Sequence, residues 1–199
     1  TVLVKDIGPG TFDSKPTQLT VVNNTLFFNA NDGMTGNEIW KSNGTAVGTV
    51  QVKDVVPGIY SSFSNNLVNG NGTLLFVATD SLKGRSLWKS NGSSPGTVIV
   101  KDLIVGSADA DPNDLIDISG TLFFSAEDAT HGRELWKSNG TTAGTTLVKD
   151  ISPSINGSYP HDFTNINGVL YFMANRGELW KTNGTAGGTI RITGTGGSY

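Results

Sequence analysis

The chain repeats one phrase four times, and that repetition limits its fold more than any other property. Glu38-Ile39-Trp40-Lys41-Ser42-Asn43-Gly44-Thr45 returns as Ser86-Leu87-Trp88-Lys89-Ser90-Asn91-Gly92-Ser93, then as Glu134-Leu135-Trp136-Lys137-Ser138-Asn139-Gly140-Thr141, and last as Glu178-Leu179-Trp180-Lys181-Thr182-Asn183-Gly184-Thr185. The tryptophans are 48, 48 and 44 residues apart. A second landmark, Val4-Lys5-Asp6, recurs at Val52-Lys53-Asp54, Val100-Lys101-Asp102 and Val148-Lys149-Asp150 in the same register. The last interval is shortened before Glu178, where Asn175-Arg176-Gly177 replaces the longer Asp128-Ala129-Thr130-His131-Gly132-Arg133. A fixed period of this length means stacked or radially arranged copies of one supersecondary unit.

Each period holds four strand signals. They cover 19–23, 25–30, the tryptophan segment and 49–55 in the first copy, and are short, rich in β-branched and aromatic residues, and bounded by Gly, Asn and Pro. Asn23-Asn24, Asn71-Gly72, Ser119-Gly120 and Asn167-Gly168 separate the first two strands of each copy. Two such residues predict a type I′ hairpin, which needs φ > 0 at both positions. The expectation is an all-β β-propeller of four four-stranded antiparallel blades. The units are 8–55, 56–103, 104–151 and 152–193 of a single domain, with residues 1–7 as an extra outer strand. That gives five outer strands for four units. Residues 1–7 therefore close the last blade, or the chain is part of a longer array, or it is half of an eight-bladed dimeric ring. An unpaired strand edge invites a homo-oligomer.

Composition removes several classes. The formal charge is −3 without a basic patch, which argues against nucleic acid. With Cys at 0 there is neither a disulfide frame nor a Cys-type zinc site. No apolar run reaches the roughly 18 residues of a membrane helix, so membrane insertion is not expected. A start at Thr1 without a signal-like segment reads as a processed form or an excised piece.

The repeated phrase resembles the bacterial E-L-W-x-x-D-G-T repeat of large extracellular proteins, a family taken to build propeller-type blades. The resemblance covers nearly the whole chain. Asn43, Asn91, Asn139 and Asn183 stand where the motif has Asp, and Ser86 replaces one Glu. The resemblance implies secretion or surface display and supplies no catalytic residue.

Trp40, Trp88, Trp136 and Trp180 could stack on sugars, but recurrence in every unit is what packing between blades demands. Asp109, Asp111 and Asn113 have the alternating spacing of a calcium loop. Asp114 stands where that loop needs Gly, Gly120 where it needs Glu, and Pro112 intrudes, so a solvated loop without cofactor is the expectation and calcium the alternative. His131 and His161 lie in loops of different units, and no nucleophile elbow, phosphate loop or His-Glu-x-x-His spacing is present, so an enzyme is not expected. Seven Asn-x-Ser/Thr sites coincide largely with Asn-Gly turns.

In a meander, the loops between blades share one edge with the loops before each tryptophan strand. Here the units differ, through Phe12, Tyr60, Phe63, Asp109, Asp111, Tyr159 and His161 on one set of loops and Asp32, Asp80, Asp128 and His131 on the other. Variation on a rigid scaffold is where binding concentrates. The expected function is a non-enzymatic extracellular binding module for a glycan or another surface protein, with carbohydrate the leading ligand class. The alternative is a structural or adhesive repeat module assembling by blade-edge pairing.

Overall fold

The computed structural model describes residues 1–192; Thr193, the expected end of the fourth unit, and the tail after it lie outside the described residues. The chain is all-β, with no helix among the described residues. It divides into two compact units, Thr1–Asp111 and Pro112–Tyr199, each built on two sheets. The first unit holds β1 (Thr17–Val22), β2 (Thr25–Asn31), β3 (Asn37–Ser42) and β4 (Val50–Lys53), then β5 (Asn65–Gly70), β6 (Thr73–Asp80), β7 (Gly84–Ser90) and β8 (Val98–Lys101). The second holds β9 (Asn113–Ile118), β10 (Thr121–Asp128), β11 (Gly132–Ser138) and β12 (Thr146–Lys149), then β13 (His161–Ile166), β14 (Val169–Ala174), β15 (Glu178–Thr182) and β16 (Ile190–Arg191). Every sheet is an antiparallel meander in sequence order. Residues 1–7, expected as an outer strand, pair with no strand among the described residues.

The hairpin turns are as the sequence predicts. φ is 47° and 61° at Asn23 and Asn24, 50° and 81° at Asn71 and Gly72, and positive at both positions of the other two turns. The same register recurs at the centre of all four sheets: Phe28, Phe76, Phe124 and Phe172 lie opposite Trp40, Trp88, Trp136 and Trp180. All four tryptophans are buried.

Alternation along the strands gives each sheet two apolar faces. In the first unit, Val22, Phe27, Ile39 and Val52 of the first sheet pack on Leu74, Phe76, Ala78 and Trp88 of the second. In the second unit, Ile118, Phe123, Leu135 and Val148 pack in the same way on Leu170, Phe172, Ala174 and Trp180. An indole buried there removes about 200 Å² from water, worth on the order of 5 kcal/mol before entropic costs.

Lysines pin these joints. Lys41 donates to the Gly92 carbonyl and Lys53 to the Thr97 carbonyl, while Lys137 and Lys149 do the same to Gly184 and Thr189. The Lys53 and Lys149 ammonium groups also stand 5.8 and 5.9 Å from the rings of Trp88 and Trp180. The Lys of the Val-Lys-Asp landmark thus reaches into the next repeat, a role the sequence analysis did not find.

Candidate functional site

The crossover loops between sheets are held by the first residue of the repeated phrase. Glu38 is fully buried; its carboxylate accepts from the backbone N–H of Val55 and of Ser62. Glu134 is equally buried and accepts from the N–H of Ile151 and Ser152 and from the Ser158 hydroxyl. Burial pushes the Glu38 pKa up to about 7 against the opposing pull of its donors, and raises Glu134 for the same reason. These carboxylates are loop clamps. In the second repeat, Ser86 replaces the Glu and bonds only locally, to the Lys83 carbonyl. The position of the partner serine, Ser62 or Ser158, is there Ala110. Clamp and partner change together.

The crossover loops display the residues that break the repeat. Lys15, Phe63, Asp111 and Tyr159 occupy one register position and all have positive φ, from 41° to 52°. Three residues on, Gln18, Asn66, Asp114 and Asp162 are also left-handed, at 53° to 57°, and each sits in a register break between the first two strands of its sheet. This bulge in the first strand of every sheet gave no sequence signal. Left-handed backbone costs a bulky L-residue about 1–2 kcal/mol, and such strain collects at ligand clamps and switches. Phe63 and Tyr159 bear it while their side chains face solvent, at 69% and 57% exposure.

In the first unit, Arg85 organises the loop. Its Nε donates to Asp111 Oδ1 at 3.0 Å, its guanidinium nitrogens to the Phe63 carbonyl and to Asn65 Oδ1, and its N–H to Asp109 Oδ1. The two carboxylates of the proposed calcium loop are therefore turned toward an arginine. No group of three metal-binding side chains is assembled among the described residues. Tyr60 is exposed; Phe12 packs over Gly8 and Gly33. A side chain at Gly36, where φ is 73°, would strike the Tyr60 carbonyl, which fixes that close passage to glycine.

In the second unit, Tyr159 hangs from the Arg133 carbonyl through its N–H. Exposed His161 lies beside Asp162, with Nδ1 to Oδ2 at 3.1 Å. Asp114 faces both; burial raises its pKa despite the opposing charge of His161. His131 pairs with Asp128 at 2.7 Å, which raises the imidazole; burial pushes the Asp128 carboxyl up, but the His131 N–H and ring together hold it below its ordinary value. Asp128 also accepts from the N–H of Thr130 and His131, a turn that Asp32 and Asp80 repeat in their own loops. The pair belongs to turn geometry.

The opposite edge is uniform. Asn43 Oδ1 accepts from the N–H and hydroxyl of Thr45, the Thr45 hydroxyl accepts from the Gly48 N–H, and Thr49 ties back to the Thr45 carbonyl and to Ser42. The bonds of Asn43 recur at Asn91, Asn139 and Asn183. An acceptor oxygen is all that these bonds require of the position, and the Asn side chain supplies it.

No protein-family profile and no curated protein sequence matches the chain. Among solved structures it is similar to the computationally designed Ika8 protein, at 14% identity and a TM-score of 0.52, over 94% of this chain and 51% of that one. It is similar to puromycin hydrolase at 12% identity and a TM-score of 0.56, over 90% and 31%. A prolyl endopeptidase aligns at 10% identity and a TM-score of 0.56, over 94% and 27%. The chain thus spans about half the length of the first and under a third of the others. At these identities the likeness shows a β-propeller-like repeated all-β fold.

Proposed function

We propose that the chain is a non-enzymatic, extracellular, propeller-type binding module of the E-L-W-x-x-D-G-T kind, and that its crossover-loop edge takes carbohydrate. One observation carries the reading. Phe63 and Tyr159, at the same register position, keep exposed aromatic rings on left-handed backbone held by a loop clamp or an arginine-centred network. An exposed ring offers an apolar face to the C–H face of a sugar, and fixed neighbours offer partners for its hydroxyls. Asn65 and Asp109 share Arg85 with the Phe63 carbonyl, and His161 and Asp162 follow within three residues of Tyr159. Strain kept at solvent-facing aromatics is the mark of a presenting surface rather than of a packing one.

A glycan array with the parent chain and a Phe63→Ala/Tyr159→Ala variant tests the reading. Both side chains are exposed, so the variant should keep its far-UV spectrum while losing the parent's signals at least tenfold. Equal binding by both, or no glycan bound by the parent, rejects the carbohydrate assignment.

The structural or adhesive alternative is favoured by a different observation, the exposed apolar residues Leu19 and Val21 on the first sheet and Ile166 and Leu179 on the fourth.

A further inference from the structure

Positions that make the sheet-to-sheet joints inside the units recur at the two terminal sheets, where several of them are exposed. Ile118 and Leu135 of the third sheet are 5% and 0% exposed against the fourth, whereas their counterparts Ile166 and Leu179 on the outer face of the fourth sheet are 49% and 42% exposed. On the facing side, Leu67 and Phe163 are partly buried in their joints, but Leu19, at the same register on the first sheet, is 64% exposed. The pinning groups are duplicated too. Lys181 stands at the position of Lys41 and Lys137, with no carbonyl partner among the described residues.

Residues 1–7 show how the gap is filled. Lys5 donates to the Thr49 carbonyl at 2.7 Å and stands 6.0 Å from the Trp40 ring. Lys53 and Lys149 make these same contacts from β4 and β12. Ile7 joins Phe28, Ala30 and Trp40 in their apolar cluster. Residues 1–7 therefore lie where the outer strand of a preceding sheet would lie, with Val2 and Leu3 exposed along the edge that such a sheet would pair.

We infer that the fourth sheet of a second copy occupies this place, with residues 1–7 adding to its β15 as the outermost strand in place of Ile190–Arg191. The registers of β3 with β4 and of β7 with β8 set Leu179 opposite Lys5, Trp180 opposite Leu3 and Lys181 opposite Val2. At the position of Lys53, the fourth repeat of the sequence has Thr193.

The clamp supports the same joint. Glu38 is matched by Ser62 and Glu134 by Ser158, while Ser86 is matched by Ala110. Glu178 is retained, and the serine that matches it one repeat on is Ser14. In the single chain Glu178 is instead paired with Arg191, on the strand the second copy displaces. In the joint it accepts from Ile7 and Ser14, as Glu38 does from Val55 and Ser62, and Lys181 reaches the Gly44 carbonyl. The two faces differ, so the contact is heterologous, and two copies close when the rotation allows it. This inference stands apart from the carbohydrate reading and fails separately from it.

Two measurements test it. Light scattering on the parent chain should give twice the mass of one chain, and an Ile166→Glu/Leu179→Glu variant should give the single-chain mass with an unchanged far-UV spectrum. Because the chain has no cysteine, Val2→Cys/Lys181→Cys adds the only thiols, at positions directly opposed across the proposed strand pair. Oxidation should give a disulfide-linked pair of chains on a non-reducing gel. A single-chain mass for the parent, an internal cross-link at single-chain mass, or no cross-link overturns the inference.

Discussion

The turn edge and the crossover edge of these sheets are built from the same strands, yet they keep different things constant. At the turn edge every repeat has the same Asn-centred network, bond for bond. At the crossover edge the backbone is repeated, down to the left-handed residue before each sheet, while the side chain on it changes from Lys15 to Phe63 to Asp111 to Tyr159. Repetition of both backbone and side chain marks architecture. Repetition of backbone under a changing side chain marks a mount for something specific to each position.

Substitutions can break that division. The largest effect belongs to the packed centre, and Trp88→Ala should cost about 3–5 kcal/mol by urea denaturation. At the turn edge, a Cβ at Gly96 would lie 2.1 Å from Asn91 Oδ1. Gly96→Ala must evict that side chain from its bonds to Ser93, at about 2–3 kcal/mol, and the same change at Gly48 should match it. Unequal losses at the two sites would weaken the view of the turn edge as one repeated device.

The clamp gives a smaller, pH-dependent effect. The folded pKa of Glu38, about 7, lies above its unfolded value of 4.5, so the folded state binds the extra proton between them. Its contribution is complete below about pH 4.5 and is lost as pH rises through 7. Glu134, raised in the same direction, adds to the trend. Stability should therefore fall from pH 5 to pH 8 and fall less in Glu38→Gln/Glu134→Gln, with each substitution costing about 1 kcal/mol at pH 5. A parent chain more stable at pH 8 than at pH 5 would contradict this. The smallest effect has the opposite sign: Phe63→Gly removes a bulky residue from φ 49° and should leave stability unchanged or raise it by up to about 1 kcal/mol. A loss above 1 kcal/mol would place Phe63 with the architectural residues.

Much of the fold was legible because its determinants are local. Alternating apolar residues and paired left-handed turn residues announce strands and hairpins within a few positions, and the period repeats the message four times. The buried, packing role of the tryptophans followed from that recurrence. The bulges at Gln18, Asn66, Asp114 and Asp162 did not, because four unrelated side chains adopt one backbone state that only the neighbouring strand imposes. The clamp escaped notice because Glu38 and Ser62 are 24 residues apart, and only a folded crossover brings them together. The bonds of Asp109 to the Arg85 N–H and of Asp111 to the Arg85 guanidinium were not legible either, because Arg85 lies on a strand 26 residues before Asp111.

The joint exchange of Glu for Ser86 and of the partner serine for Ala110 bears on how such a chain can be copied and recombined. A duplication cut at the period boundary would separate each carboxylate from the hydroxyl that suits it, leaving a buried acid facing a methyl group at one seam. A cut through the middle of two successive sheets would carry the matched halves together. The heritable module is thus offset from the visible repeat: it is the seam between two blades, and the tryptophan phrase is only its left-hand margin.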